Sequence, residues 1–139
     1  MATTLEHKNI LIVDDNHEIH EYLADVLSEV QQQHKGTQLD FASCFTGAEL
    51  LQSTEHAKPD LIFMDLFLEP GDAQNGLELS EALWKHYPDL KIIFLTGFCQ
   101  YVDLKLLEPY EQKGLACLYT KPFEVQSLQE RVRNFLHLS

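Results

Sequence analysis

Five short apolar runs alternate along this chain with segments of helical periodicity, and this alternation limits the fold more than any other feature. The runs cover residues 10–13, 39–42, 61–64, 92–95 and 115–119. Such runs are typical of strands buried on both faces, although the mixed polarity of 39–42 favours an edge strand. Strands that alternate with helices form right-handed βαβ units. We therefore predict an α/β fold with a parallel sheet covered by helices on both faces.

Helix signals fill the segments between the runs. Apolar residues at positions 19, 22, 23, 26, 27 and 30 follow the period of one helix face. Thr46 and Glu49 have the spacing of a capping box at the start of a second helix, and Pro59 must end that helix.

The remaining helices differ in how strongly the sequence marks them. A third is expected after Asn75-Gly76, with apolar residues at 77, 79, 82 and 83, and closes before Pro88; a last one starts at about residue 125. Between them, 100–113 predicts only a weak helix, because Pro109 should cut or kink it. The length of 139 residues suits one domain over 1–139, with its core at about 8–138.

Two of the apolar runs end directly on acidic residues. Asp14 and Asp15 follow the first run, and Asp65 follows the third. Because parallel strands bring their carboxyl ends to one edge, where open α/β sheets bind ligands, the three carboxylates should converge. Their mutual repulsion would favour protonation of one carboxylate unless a cation lies among them. The acids therefore predict a metal site.

The charge balance argues against several partners. Ten basic and 22 acidic residues give a net charge of −12, with no basic stripe, so we expect no direct DNA binding. No signal pattern or bilayer-spanning window is present, which predicts a cytoplasmic protein without membrane contact. The cysteines and histidines lack metal-ligand spacing, and we expect His17 and His20 on a solvated helix face.

Two more polar side chains follow the last two runs. Thr96 follows the fourth and Lys121 the fifth, so a hydroxyl and an ammonium should reach the edge that holds the acids. Asp14-Asp15, Asp65, Thr96 and Lys121-Pro122-Phe123, in this order, closely resemble the receiver domain of two-component response regulators. The resemblance covers about 8–138 and implies a flavodoxin-like sheet in the order 2-1-3-4-5 with five helices.

The resemblance also implies the role of each site residue. Asp65 would be the phosphoacceptor, taking a phosphoryl group from the phosphohistidine of a histidine kinase or a histidine phosphotransfer protein. Asp14, Asp15, Asp65 and the backbone carbonyl of Phe67 would bind Mg²⁺. Lys121 and Thr96 would contact the phosphoryl oxygens. Such a protein would act by switching protein contacts and would not be classed as an enzyme.

Several positions depart from the family pattern. Leu118 stands where an aromatic switch residue is usual, and strand alternation should turn the neighbouring Tyr119 to the opposite face. The segment after Asp65 is longer than usual. Phe67 and Phe98 occupy places that flank the path of the hydrolytic water in receivers. Because neither ring can orient water, we predict slow self-dephosphorylation.

Alternatives to a phosphorylated receiver stay open. The chain could be a phosphorylation-independent interaction domain with the same fold, or a metal-dependent phosphatase with an aspartate nucleophile. The phosphatase pattern wants a second acid where Phe67 stands. We expect a stand-alone receiver. Dimerisation through the fourth helix, fifth strand and fifth helix is common in the family, and the sequence leaves it open here.

Overall fold

A computed structural model describes residues 5–68, 76–97 and 104–138. Five parallel strands form one sheet in the order β2-β1-β3-β4-β5, which confirms the predicted fold class and strand order. The strands are β1 Glu6–Val13, β2 Thr37–Cys44, β3 Leu61–Asp65, β4 Lys91–Thr96 and β5 Ala116–Thr120. β2 is an edge strand with four consecutive exposed residues, as its mixed polarity predicts.

In the described ranges a helix follows each strand along the chain. The helices are α1 His17–Gln33, α2 Gly47–His56, α3 Gly76–His86, α4 Glu108–Gln112 and α5 Val125–Leu136, and a 3₁₀ turn, Leu104–Leu107, directly precedes α4. Within these same ranges, no helix has the length and apolar character needed to cross a membrane.

The first two strands extend further than their apolar runs. β1 and β2 pair in register from Glu6 with Thr37 to Val13 with Cys44. The added pairs are mostly polar, and His7 Nδ1 lies 2.8 Å from Asp40 Oδ2 across them. Apolar runs mark only the part of a strand that helices cover, whereas backbone pairing continues into solvent.

The capping box predicted for α2 is present. Thr46 Oγ1 accepts a hydrogen bond from the Glu49 N–H at 3.1 Å, and the Glu49 carboxylate accepts one from the Phe45 N–H at 2.7 Å. These bonds satisfy backbone donors that a helix start leaves without partners. The helix ends at His56, before Pro59, as predicted.

The helical segment is divided near Pro109, as we expected, because the 3₁₀ turn ends at Leu107 and α4 begins at Glu108. Pro109 lies in the first turn of α4, where a missing N–H costs nothing because no helical acceptor is available there. α4 is short, and the Tyr110 ring stacks on Trp84 of α3 with ring centroids 3.8 Å apart. The buried Leu107 anchors the preceding turn.

Both faces of the sheet are buried by helices. Alternate strand residues such as Ile62 and Met64 pack with side chains of α2 and α3, while Leu61 and Phe63 pack with those of α1 and α5. A sheet covered on both faces leaves its carboxyl edge as the natural place for a ligand.

Gly76, the first residue of α3, contacts the backbone of β3. A Cβ atom there would lie 2.0 Å from the Asp65 carbonyl oxygen and 3.0 Å from the Leu66 Cα. The Gly76 N–H also donates to the Leu66 carbonyl at 3.1 Å. The glycine therefore permits the close approach of α3 to the strand end that carries Asp65.

We expect Gly76→Ala to lower the free energy of unfolding by about 1–3 kcal/mol, because the added methyl overlaps backbone that cannot swing away. In a helix without such contact, the same change is ordinarily stabilising. Urea denaturation would measure the effect. Gly36→Ala is the control, since a Cβ at Gly36 meets nothing within 4 Å; equal stability of the two variants would contradict the prediction.

Candidate functional site

The predicted convergence of three carboxylates is confirmed. Asp14 and Asp15 follow β1, Asp65 ends β3, and a carboxylate oxygen from each lies within 4.8 Å of the other two. Asp14 and Asp65 are buried and Asp15 is half-buried. β1 and β3 are hydrogen-bonded neighbours, with Val13 opposite Met64, so the acids that follow these residues come side by side.

Lys121 provides a cation beside the acids. Its Nζ lies 3.0 Å from Asp14 Oδ2 and 4.0 Å from Asp65 Oδ2. The Lys121 N–H donates to the Thr96 carbonyl at 2.8 Å, which ties the end of β5 to that of β4, and the Lys121–Pro122 peptide bond is cis. The predicted lysine therefore lies between two of the three predicted acids.

Asp65 has one oxygen held by the backbone and the other turned toward the lysine. Its Oδ1 accepts a hydrogen bond from the Phe67 N–H at 3.0 Å. Burial raises the pKa of Asp65 from 3.8 to about 6; the Phe67 hydrogen bond and Lys121 lower it, and the charges of Asp14 and Asp15 raise it. An anion in this place is stabilised by any additional cation.

Asp14 shapes the loop that follows β1. Its Oδ1 accepts a hydrogen bond from the Asn16 N–H at 2.9 Å, while its own N–H donates to the Cys44 carbonyl at 3.1 Å. The N-cap of α1 is Asn16, whose side chain accepts from the Glu18 N–H. Helix capping therefore falls to Asn16, while carboxylate oxygens of Asp14 and Asp15 belong to the acidic cluster.

The remaining predicted residues lie around this cluster. Thr96 ends β4 and is fully buried, and it pairs with Thr120 of β5. Leu118 packs on the α2 and α3 face of the sheet, whereas Tyr119 packs on the opposite face and donates to the Ser127 carbonyl of α5 at 3.1 Å. The predicted alternation of Leu118 and Tyr119 is confirmed.

Phe67 belongs to the described part of the chain. The Phe67 ring is half-buried against the core on the α2 and α3 face. That the backbone carbonyl of Phe67 binds a metal ion stays a prediction. Phe98 and the unusual segment 69–75 lie outside the described residues.

Two positions near the site have roles that the sequence did not indicate to us. One is Gly76, whose close contact with Asp65 depends on tertiary packing. The other is His20, which is buried and not on a solvated face as we expected, with only 6% of its surface exposed. Its spacing of three residues before Leu23 and seven before Leu27 is the signal that would have placed it on the apolar face of α1. His17 is exposed, as expected.

The donor set suits a hard divalent cation. Mg²⁺ prefers carboxylate and carbonyl oxygens and binds through few protein ligands. The cluster offers three carboxylates, two of them buried, whose charge exceeds that of the Lys121 ammonium. These residues therefore fit Mg²⁺.

A parallel sheet in the order 2-1-3-4-5, with clustered acids and a lysine at its carboxyl edge, defines the class of receiver domains of the flavodoxin-like fold. Residues 10–133 match the response regulator receiver domain family, and the chain belongs to this family of two-component signalling.

Relatives and solved structures agree with this assignment. The chain is 32% identical over 127 residues to the DNA-binding response regulator MtrA of Mycolicibacterium smegmatis, which covers 91% of this chain and 49% of MtrA. It is 28% identical to part of the hybrid signal transduction histidine kinase D of Dictyostelium discoideum, covering 91% of this chain and 7% of the kinase. The chain thus spans about half the length of MtrA and a small part of the kinase.

Two solved structures resemble the whole fold. Response regulator protein TrrA from Thermotoga maritima, in complex with Mg(2+)-BeF, matches with a TM-score of 0.72 and 28% identity over 93% of this chain and 99% of TrrA. The receiver domain of NtrX from Brucella abortus matches with a TM-score of 0.72 and 25% identity over 94% and 99% of the two chains.

In the metal-free protein, we expect Asp65→Asn to raise the free energy of unfolding at pH 7.5 by about 1–3 kcal/mol. The native state raises the pKa of Asp65 to about 6, so ionisation costs stability. This cost is absent below about pH 4, develops as the pH rises from about 4 to about 6, and is complete above that range. The asparagine avoids the cost and can still accept the Phe67 hydrogen bond.

Urea denaturation in a chelating buffer at pH 4.5, 6.0 and 7.5 measures this difference. The stability gap between variant and wild type should widen with pH. Asp89→Asn is the control of opposite sign, because the bond from Lys58 lowers the pKa of the exposed Asp89. A gap at Asp65 that is absent or reversed at pH 7.5 would refute the expectation.

Proposed function

We propose that this receiver accepts a phosphoryl group on Asp65 from the phosphohistidine of a histidine kinase or a histidine phosphotransfer protein. The observation that carries the proposal is the part-buried cluster of Asp14, Asp15 and Asp65 with the Lys121 ammonium beside two of them. Such an arrangement is costly unless a cation binds, and a divalent cation beside Lys121 balances the three carboxylates so that an anionic phosphoryl group can approach.

In the proposed transfer, Asp65 is the nucleophile. Oδ2 forms the new bond to phosphorus, while the phosphorus to nitrogen bond of the donor breaks and its electron pair stays on the imidazole. The Phe67 N–H holds Oδ1 and so limits rotation of the carboxylate. With a pKa of about 6, Asp65 is mostly ionised at pH 7 and available to attack.

The charge on the transferred group needs compensation. Lys121 would move its ammonium from Asp14 toward the phosphoryl oxygens, and Thr96 would donate its hydroxyl to one of them. Asp14, Asp15, Asp65 and the Phe67 carbonyl would hold Mg²⁺, which when bound neutralises developing negative charge. The Mg(2+)-BeF complex of TrrA, 28% identical to this chain, supports the choice of metal.

Signal output would follow from altered protein contacts. Because Leu118 has no aromatic ring, a readout through an aromatic residue at this strand position is not available. We propose that the new charge acts on Thr96 and on the neighbouring α4, which packs on α3 through Tyr110 and Trp84. The absence of direct DNA binding stays a prediction, since MtrA is a DNA-binding response regulator.

The test is incubation with a small-molecule phosphodonor and Mg²⁺, followed by intact mass measurement. We expect wild type to gain one phosphoryl group, Asp65→Asn to gain none, and a chelator to abolish the gain. Asp89→Asn, which changes an exposed acid whose side chain is 76% accessible, should behave as wild type. No adduct would support an interaction domain that works without phosphorylation, and phosphodonor turnover without an adduct would support a phosphatase.

We further expect the phosphoryl group on Asp65 to be long-lived. Phe67 and Phe98 can neither accept a proton from water nor orient it. Phe98→Glu should therefore speed the loss of the phosphoryl group by about 10-fold or more, because a carboxylate can act as a base toward water. The decay of the phosphorylated mass with time measures this rate.

The matched control replaces a phenylalanine far from the acids. Phe41→Glu changes a residue of the edge strand β2 that is 41% exposed, and its decay should equal that of wild type. Equal decay of Phe98→Glu and wild type would show that the two rings do not limit hydrolysis.

A further inference from the structure

The buried His20 makes one specific hydrogen bond, to the backbone of an acidic site residue. Its Nε2 lies 2.7 Å from the Asp14 carbonyl oxygen. Because a carbonyl oxygen only accepts, Nε2 carries the proton. Nδ1 is buried, and it has no hydrogen-bond partner among the described residues.

Burying this imidazole costs more free energy than burying an aliphatic side chain. A buried nitrogen without a partner costs free energy, whereas an aliphatic side chain of similar size would pack on α1 without that cost. Besides its contact with the Phe45 ring, the imidazole contributes the N–H that bonds Asp14, which an aliphatic residue cannot supply. The hydrogen bond to Asp14 is therefore the feature that accounts for a histidine at this position.

The bond completes a ring of contacts around the backbone of Asp14. The Asp14 N–H donates to the Cys44 carbonyl at 3.1 Å, and Phe45 follows Cys44 in the chain. The Phe45 ring packs on the His20 ring with centroids 4.3 Å apart and on the His17 ring with centroids 4.4 Å apart. Because His20 in turn donates to the Asp14 carbonyl, both the N–H and the carbonyl of Asp14 are hydrogen-bonded.

The carbonyl that accepts this bond belongs to the peptide unit between Asp14 and Asp15. Holding its oxygen restricts rotation of that planar unit, and so restricts the backbone angles that set the directions of both side chains. We propose that His20 is a positioning residue that, with Phe45, orients the carboxylates of Asp14 and Asp15 toward Asp65. The effect of His20 on metal affinity rests on the proposed function, whereas its effect on the order of the loop after β1 does not.

Three substitutions separate the hydrogen bond from packing. The amide nitrogen of Gln can occupy the place of Nε2, so His20→Gln keeps the donor. His20→Asn places its amide nearer the backbone, where it cannot reach Asp14, and His20→Leu keeps bulk without a donor. Thr54→Val is the control, because it removes another buried side-chain bond, from Thr54 Oγ1 to the Leu51 carbonyl, away from the site.

The first measurement is amide hydrogen exchange by NMR in the metal-free protein. We expect His20→Leu and His20→Asn to speed exchange of the Asp15 and Asn16 amides by about 10-fold relative to wild type, because the loop opens locally. His20→Gln and Thr54→Val should leave it within about 3-fold. Unchanged exchange in His20→Asn, or exchange in His20→Gln as fast as in His20→Asn, overturns the proposal.

The second measurement is Mn²⁺ affinity by electron paramagnetic resonance of the free ion. Loss of an outer hydrogen bond commonly weakens a metal site by about 10-fold, and we expect this loss in His20→Leu and His20→Asn only. Affinity equal to wild type in both variants overturns the proposal. If wild type itself binds no Mn²⁺, the proposed function fails, and amide exchange alone decides the role of His20. If His20→Leu does not fold, the comparison of Gln with Asn decides both measurements.

Discussion

Repulsion among three carboxylates at one edge of the sheet is the constraint on which the rest of this structure depends. Asp14, Asp15 and Asp65 lie within reach of one ion, and burial with this repulsion raises the pKa of Asp65 to about 6. Each nearby donor reduces the cost: the Lys121 ammonium, the Phe67 N–H and the Asn16 N–H. What remains unbalanced is negative charge, and it accounts for the affinity for Mg²⁺ that we propose.

The scaffold supplies the rigidity that such a cluster needs. Helices on both faces hold the strands in register, so that residues distant in sequence meet at one edge. Gly76 allows α3 to contact the backbone of Asp65, and His20 bonds the carbonyl of Asp14 from the first turn of α1. The acids are thus oriented by contacts to their backbone as well as to their side chains, which limits the freedom of charges that repel one another.

The part of the domain that would transmit the signal, β5 with α4, departs more from the family pattern than the cluster of acids does. Leu118 and Tyr119 face opposite sides of the sheet, and Tyr119 is bonded to α5. The α2 and α3 face therefore lacks the aromatic ring of β5, while Trp84 and Tyr110 stack between α3 and α4 on that face. On this face Trp84 of α3 contacts both Tyr110 of α4 and Phe94 of β4, whereas β5 contributes no aromatic ring.

The sequence by itself determined the fold class, and it determined the strand order through family resemblance. It also determined that Asp14, Asp15, Asp65 and Lys121 meet, because these residues follow apolar runs and parallel strands end at one edge. It did not determine the strand limits, since backbone pairing continues through polar residues such as Glu6 and Thr37. Only the tertiary structure decided that Gly76 meets Asp65 and that Tyr110 stacks on Trp84. These features depend on the distance between elements far apart in the chain, and local periodicity carries no information about that distance.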